Sequence, residues 1–324
     1  MSVYDLLIGQ NHIVETLTAA VNAAVSGEES QEMTHAWIFT GPPGSGRSSA
    51  ATRTAWAPSM GGWRVVVMED ADRLTESAAN ALLKAIEEPG LRTVWLLCAP
   101  TLHDILPTIR SRCRHIQLHT PSNNDVAKFL VEKHQISPKM ADFAARVSQG
   151  HIGRARHLAT NEDVRNRRNA ILSIPSQLNS VSAAYAAAAK LVELANAESD
   201  AISEALDEKE YEELSTALGK GNNKALKELE KEQKSRATRI TRDTLDGALL
   251  DLATFYRDVI LVQAGKEGSL INAELADQIN RMATNTQSQR TLAKMDAIMK
   301  ARESLQRNGA PLLVMEALMC ELIK

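Results

Sequence analysis

The stretch Ala36-Trp37-Ile38-Phe39-Thr40-Gly41-Pro42-Pro43-Gly44-Ser45-Gly46-Arg47-Ser48 decides the fold of this chain. It opens with a short apolar run, which is typical of a buried parallel strand. A glycine-rich loop follows at once, and its glycines allow backbone N–H groups to turn inward at the start of a helix. The sequence therefore predicts a strand, a phosphate-binding loop and a helix. The candidate nucleotide-binding residues of the loop are Gly41, Gly44, Ser45, Gly46, Arg47 and Ser48.

Two further apolar runs flank a predicted helix later in the chain. Residues 63–68 form the first run, which ends in Glu69 and Asp70, and residues 93–99 form the second. Between them, apolar residues at helical spacing over 74–86 make one stripe, and Pro89-Gly90 ends that helix. Strands that alternate with helices predict a parallel α/β sheet. Glu69 and Asp70 become candidate ligands of nucleotide-bound Mg²⁺ because they stand where a second strand ends.

Two other motifs give the predicted module a family resemblance. The run 79–89 reads NALLK and then EEP at its end, and Ser111-Arg112-Cys113 follows the third strand. Together with the loop 41–48, these motifs resemble the clamp-loader branch of the AAA+ ATPases, strongly over about residues 1–160 and more loosely beyond. The resemblance implies an α/β P-loop AAA+ module with a truncated parallel sheet, followed by a helical lid and an all-α C-terminal collar. The expected domains are 1–120, 121–162 and 163–324.

The resemblance also assigns a role to Arg112. In clamp loaders the arginine of this turn is a finger that reaches the γ-phosphate bound by the neighbouring subunit. An arginine supplied in trans stabilises charge on the transferred phosphoryl group and contributes a factor of ~10³–10⁵ in rate. The alternative is a surface arginine at the start of a strand.

The chain's own nucleotide site departs from the pattern of a hydrolytic one. Arg47 stands where the loop motif has Lys, and a planar forked cation is no simple replacement for a compact one. Glu69 precedes Asp70, which reverses the usual order of the two acids. In the lid, Gly153 takes the place of a sensor arginine, and Arg154 lies one residue away, ~100° around a helix. Three outcomes stay open: binding with poor hydrolysis, no binding, and competent hydrolysis.

The segment after the loop is much shorter than the family requires. Only residues 49–64 precede the second strand, where clamp-loader modules carry an additional strand, a helix and a four-cysteine zinc module. The simplest account is an internal deletion, from which we expect reduced stability and an exposed sheet edge. Cys98, Cys113 and Cys320 are far apart, so no zinc site is expected from this chain and no metal ligand is assigned.

Beyond residue 165 the strand signal disappears, and the sequence predicts helices only. The stretch 208–242 is rich in Lys and Glu, which favours a solvated helix with pairs at i,i+4 spacing. The alternative is that Arg236, Arg239 and Arg242 contact a partner or a phosphate. A formal charge of −3 gives no overall attraction for nucleic acid. With no long apolar segment, the expected location is the cytoplasm, with no membrane contact.

The function implied by the resemblance is support of sliding-clamp loading within the bacterial DNA polymerase III holoenzyme. The implied partners are ATPase and delta-type clamp-loader subunits, the sliding clamp indirectly, and primer–template DNA through the complex. ATP is the implied cofactor, weakly hydrolysed or not hydrolysed, with Mg²⁺ only where ATP binds and without zinc. Two alternatives stay open: an active clamp-loader ATPase subunit, and a non-functional deletion remnant.

Overall fold

The chain folds into two compact units, Met1–Glu162 and Asp163–Lys324. The computed structural model describes residues 8–26, 35–42, 45, 47–56, 64–88, 90, 92–218, 223–266, 268 and 270–323. The predicted loop residues Gly44 and Gly46, and the first residue of the run 63–68, lie outside these residues. The three-part division at residues 120 and 162 stays a prediction.

The first unit is built on a four-stranded parallel sheet. Its strands are β1 Ala36–Thr40, β2 Arg64–Met68, β3 Thr93–Ala99 and β4 Arg114–Gln117, in the spatial order β2-β3-β1-β4. The register places Thr40 beside Ala99, and Met68 beside Leu97, so these three strands end close to one another. This confirms the predicted parallel α/β sheet.

Four helices accompany the strands. They are α1 Asn11–Ser26, α2 Arg47–Trp56, α3 Glu76–Glu87 and the short α4 Pro107–Arg110, with 3-10 turns at Ala71–Arg73 and Leu102–Asp104. Thr75 begins α3, since its hydroxyl accepts a hydrogen bond from the Ala78 N–H at 3.3 Å. A capping hydroxyl of this kind satisfies one of the free donors in the first turn of a helix.

The sheet has two covered faces, and β1 shows how the residues divide between them. Trp37 and Phe39 pack in one core cluster with residues of α1 and α2, whereas Ile38 packs in another with residues of α3 and α4. Alternate side chains of a strand point to opposite faces, so a strand covered on both sides is apolar throughout. All five residues of β1 are buried.

The β2 strand lies at one edge of the sheet. It pairs with β3, and within the described ranges no strand pairs along its other side. Its residues are less covered than those of β1, because Arg64 is exposed and Val65, Val66 and Val67 are only half-buried. An unpaired edge presents free backbone N–H and C=O groups. This is the exposed sheet edge that the short 49–64 segment predicts.

Three helices complete the first unit: α5 Asn123–His134, α6 Pro138–Ser148 and α7 Ile152–Thr160. Ser122 begins α5, because its Oγ accepts the Asp125 N–H at 3.2 Å. Gly150 stands at the end of α6 with φ +84°, and a Cβ there would lie 2.2 Å from Thr120 Cγ2. Only glycine fits this close approach between α6 and the segment that leaves the sheet.

The second unit is helical in all its described secondary structure. Its helices are α8 Glu162–Gln177, α9 Val181–Leu218, α10 Asn223–Gln263, α11 Ala276–Asn285, α12 Ser288–Gln306 and α13 Pro311–Ile323, with a 3-10 turn at Ala273–Leu275. One large core cluster fills the space between them, and Phe255, Tyr256 and Ile298 lie at its centre. None of the helices, over the residues described, is long and apolar enough to cross a membrane.

A buried ionic network ties α8 to α10 and the loop after α10. Arg168, only 2% exposed, donates from Nε to Asp251 Oδ1 at 3.1 Å and from Nη1 to Glu274 Oε1 at 3.0 Å. Its Nη2 donates to Asn272 Oδ1. Asp258, fully buried, accepts the backbone N–H groups of Ile271 at 3.1 Å and Asn272 at 2.7 Å. The network fixes the loop because each buried charge has a partner.

In the charged stretch 208–242, Arg236 forms ion pairs with acidic residues of the same chain. Its Nη1 donates to Glu210 Oε1 at 2.7 Å, and its Nη2 donates to Asp207 Oδ1 at 2.8 Å, both on α9. Arg242 donates to Asn308 Oδ1 at 2.7 Å. For these two arginines the contacts therefore favour ties between helices over a phosphate contact.

Replacing Arg168 with Ala should destabilise the helical unit by roughly 3–5 kcal/mol, because Asp251 would remain buried without its cation. Chemical denaturation followed by far-UV circular dichroism measures this change. Arg307→Ala is the control, since the exposed pair of Arg307 with Glu303 is worth under ~1 kcal/mol. Equal effects of the two substitutions would show that the network contributes no more than a surface pair.

Candidate functional site

The candidate site lies at the carboxyl edge of the sheet. Gly41 follows β1, Glu69 and Asp70 follow β2, and Pro100 follows β3. In open parallel sheets this edge is where ligands bind, because the loops after neighbouring strands meet there. The Gly41 N–H donates to the Pro100 carbonyl at 3.2 Å, which joins the loop after β1 to the one after β3.

Gly41 has no room for a side chain. Its φ is +152°, and a Cβ would lie 2.7 Å from both the Leu118 carbonyl oxygen and Ser45 Oγ. A contact this short with backbone cannot be relieved by a change of rotamer. The absent side chain allows the loop to turn tightly over the end of β1.

The loop side chains that the structure describes point polar atoms into buried space. Ser45 is 3% exposed, and neither its Oγ nor the Nη1 of Arg47 has a hydrogen-bond partner among the described residues. Buried polar groups normally have partners, so unpaired ones mark a place where a ligand or water belongs. Ser48 lies half-buried in the first turn of α2, while Gly44 and Gly46 fall outside the described residues.

Cys98, near the end of β3, is buried among charged residues of the candidate site. Burial raises the pKa of the Cys98 thiol to about 12, Arg47 lowers it, and Glu69 and Asp70 raise it further. The two carboxylates lie in the turn after β2, and both residues are exposed.

In the segment after β3, the Thr101 hydroxyl forms a local hydrogen bond. The Thr101 Oγ1 and backbone N–H both donate to Asp104 Oδ2, each at 2.9 Å. A hydroxyl engaged in this way is already satisfied within its own turn. This position therefore offers no free group aimed at a γ-phosphate.

Gly153, in the first turn of α7, contributes only backbone and no charged side chain. The Arg154 N–H donates to His151 Nδ1 at 3.2 Å, which places the pair in the first turn of α7. A Cβ on Gly153 would contact only the His151 ring, at 3.5 Å or more. The fold would therefore admit a side chain at residue 153, and this sequence leaves the position empty.

One long-range contact was missed by sequence reasoning. Gln10, just before α1, is 3% exposed and bonds the backbone of His119 with both ends of its amide. Its Nε2 donates to the His119 carbonyl at 2.6 Å, and its Oε1 accepts the His119 N–H at 3.3 Å. The partners lie 109 residues apart. No local pattern signals a contact of that range.

Arg112 lies just before β4, at the amino end of the parallel strands, whereas the loop follows β1 at their carboxyl end. Its Nη1 donates to the Thr108 carbonyl at 2.9 Å and to Ser111 Oγ at 3.1 Å, and its Nη2 pairs with Glu87 Oε1 at 2.8 Å. Glu87 ends α3 and Thr108 lies in α4, whose apolar residues cover the face that carries Ile38. The first turns of α2 cover the other face. The fold therefore separates Arg112 from Arg47.

The structure offers no ready metal site in the part of the chain that it describes. No group of three or more His, Cys, Asp or Glu side chains converges among those residues. Cys98 and Cys113 are both held protonated at neutral pH, because burial raises their pKa values to about 12 and about 11. A thiol must lose its proton to bind zinc.

A parallel sheet with a glycine loop after its central strand, followed by an all-α unit, defines a P-loop ATPase-like protein with a C-terminal helical domain. The family model described as "DNA polymerase III, delta subunit" matches residues 50–122, and "DNA polymerase III, delta subunit, C terminal" matches 209–322. Over these two stretches the chain is similar to the delta-type subunits of DNA polymerase III.

The curated relatives include two subunits with the name DNA polymerase III subunit delta'. The Escherichia coli protein is 38% identical over 96 residues, which is 30% of this chain and 29% of that protein. The Bacillus subtilis protein is 24% identical over 245 residues, which is 76% of this chain and 61% of that protein. The chain thus matches less than two thirds of the length of either relative.

Solved structures with a related arrangement include a RuvB variant and a DNA polymerase III gamma-subunit-related protein, both from Thermotoga maritima. The first has a TM-score of 0.41 at 19% identity and covers 52% of this chain and 65% of its own. The second has a TM-score of 0.36 at 16% identity and covers 89% of this chain and 99% of its own.

Gly41→Ala should destabilise the first unit by roughly 1–3 kcal/mol, since the new methyl group would overlap the Leu118 carbonyl. Thermal unfolding of the full chain measures the change. Gly247→Ala is the matched control, because a Cβ there meets nothing within 4 Å and alanine stabilises a helix by ~0.5–1 kcal/mol. If both substitutions raise the melting temperature, the close packing at Gly41 is wrong.

Proposed function

We propose that this chain is a clamp-loader subunit that supplies Arg112 to the nucleotide of a neighbouring subunit while hydrolysing little or no ATP itself. The observation that carries the proposal is the position of Arg112 at the amino end of the parallel strands, whereas the chain's own glycine-rich loop lies at their carboxyl end. An arginine at that end is placed to serve a site outside its own module. A charged group is useful to phosphoryl transfer only where the charge develops.

The presentation of Arg112 supports the same role. Its side chain is 41% exposed, and the turn that carries it is held by hydrogen bonds from Ser111 Oγ and Arg112 Nη1 to the Thr108 carbonyl. An arginine finger must be both fixed and accessible, because its benefit comes from pre-organisation before the transition state forms.

The chain's own site supports binding better than hydrolysis. The unpaired Ser45 Oγ and Arg47 Nη1 are the groups that would hold a phosphate in the loop. ATP with Mg²⁺ near Glu69 and Asp70 is the ligand that this chemistry fits. Hydrolysis also needs a polar sensor and a lid cation. Thr101 is already bonded to Asp104, and Gly153 has no side chain.

The partners follow from the relatives. We propose that ATPase and delta-type subunits of DNA polymerase III surround this chain in a ring, and that it meets the sliding clamp and primer–template DNA through that complex. The helical unit Asp163–Lys324 would be the collar that joins the ring, with the α/β domain over 1–120 and the lid over 121–162. The match over 209–322 to the C-terminal part of the delta family supports the collar assignment.

The isolated chain should turn over ATP far more slowly than ordinary ATPases, whose rates are ~1 s⁻¹ or more. The geometric reasons are the forked cation at Arg47, the reversed pair Glu69 and Asp70, and the missing side chain at Gly153. Phosphate release from purified protein measures the rate. Turnover near ~1 s⁻¹ that Asp70→Ala abolishes would make the chain an active ATPase and would contradict the proposal.

Arg112→Ala should leave folding and ring assembly intact and lower clamp-stimulated ATP hydrolysis by the partner subunits about 10³-fold or more. Loss of a trans arginine removes charge stabilisation in the transition state and little ground-state structure. Size-exclusion chromatography checks assembly before the hydrolysis assay. Arg110→Ala, two residues earlier, is the matched control. Normal hydrolysis in an assembled Arg112→Ala ring, or failure of the unaltered chain to assemble, would refute the proposed role.

A further inference from the structure

The guanidinium of Arg112 is held from two directions by groups of different kinds. On one side, Nη1 is fixed by neutral acceptors of its own turn, the Thr108 carbonyl and Ser111 Oγ. On the other side, Nη2 meets the only charged group among its described contacts, the Glu87 carboxylate at 2.8 Å. Two anchors on different nitrogens set the plane of the guanidinium, whereas one anchor alone would leave it free to rotate.

The pair leaves Arg112 accessible. The side chains of Arg112 and Glu87 are 41% and 42% exposed. A guanidinium has five N–H donors, and within the described residues its Nε and the second hydrogen of Nη2 have no acceptor. A contact that stored the arginine away from a ligand would bury these donors. This contact instead leaves the Arg112 side chain 41% exposed.

The position of Glu87 at the end of its helix favours its pairing with Arg112. Glu87 is the last residue of α3, and a carboxylate at the C-terminal end of a helix is disfavoured by the helix dipole. Arg112 supplies the cation that offsets this cost. Glu88 follows directly, is exposed, and forms no ion pair in the part of the chain described. The contact with Arg112 therefore distinguishes Glu87 from the glutamate beside it.

We infer that Glu87 is the positioning residue for Arg112, which sets the orientation in which the guanidinium meets a phosphate held by a neighbouring subunit. This inference rests on the proposed function of Arg112 and adds the residue that orients its guanidinium. Glu87 does not touch the nucleotide itself. Its contribution is the pre-organisation of another group's charge, so its removal should reduce the rate and leave the affinity for ATP unchanged.

The experiment compares rings reconstituted with the full chain carrying Glu87→Ala, Glu87→Gln or Glu88→Ala. Glu87→Ala should lower the kcat of partner ATP hydrolysis roughly 10–100-fold with KM unchanged, since small misplacements of catalytic groups reduce rates on this scale. Glu87→Gln should fall between Glu87→Ala and the unaltered chain, because glutamine keeps an acceptor for Nη2 and loses the charge. Glu88→Ala should match the unaltered chain.

A double substitution separates positioning from general structure. In a ring that already carries Arg112→Ala, Glu87→Ala should cause no further loss, because residues that act as one unit are not additive. A further loss of the same size would show that Glu87 acts through the fold, and the inference would be wrong. A rise in kcat for Glu87→Ala would likewise overturn it, since Glu87 would then be restraining the arginine.

A second measurement uses the chain without its partners. In solution NMR, the side-chain N–H signals of Arg112, assigned by their loss in Arg112→Ala, should show hindered rotation in the unaltered chain and free rotation in Glu87→Ala. Equal mobility in both would contradict the positioning role. If Arg112→Ala leaves partner hydrolysis unchanged, the finger itself is refuted. If Arg112→Ala slows hydrolysis and Glu87→Ala does not, only this inference is refuted.

Discussion

The parallel pairing of β1 with β3 on one side and β4 on the other is the constraint on which the first unit depends. Because alternate residues of β1 face opposite layers, the strand fixes α2 on one face and α3 with α4 on the other. The glycine-rich loop follows the end of β1, and the turn that carries Arg112 precedes β4. The same pairing therefore places the glycine-rich loop and the arginine at opposite ends of the parallel strands.

The sequence predicted those features of the fold that are set by local pattern. Apolar runs located β1 and β3, and the spacing of apolar residues located α3. Contacts between residues far apart in the chain could not be predicted from the sequence. Neither the clamp of Gln10 on His119 nor the partners of Arg168 leave a periodic signal, since each joins residues about a hundred positions apart.

The residues of the candidate site stay predictions, and the structure describes their surroundings. Motif spacing pointed to Arg47, Glu69 and Asp70, and the structure adds that all three act on the pKa of the buried Cys98 thiol. Motif likeness identified Arg112, but the partner of its guanidinium depends on how α3 and α4 pack. After the short segment 49–64, β2 is an edge strand of the described sheet.

The most direct test is a structure of the reconstituted ring with ADP and a phosphoryl transition-state analogue. We expect the Arg112 guanidinium to lie about 2.7–3.2 Å from the analogue in the neighbouring subunit. We also expect Glu87 to remain in contact with that guanidinium. An Arg112 that faces only solvent, or one that reaches the chain's own phosphate loop, would contradict the separation of roles between the two ends of the sheet.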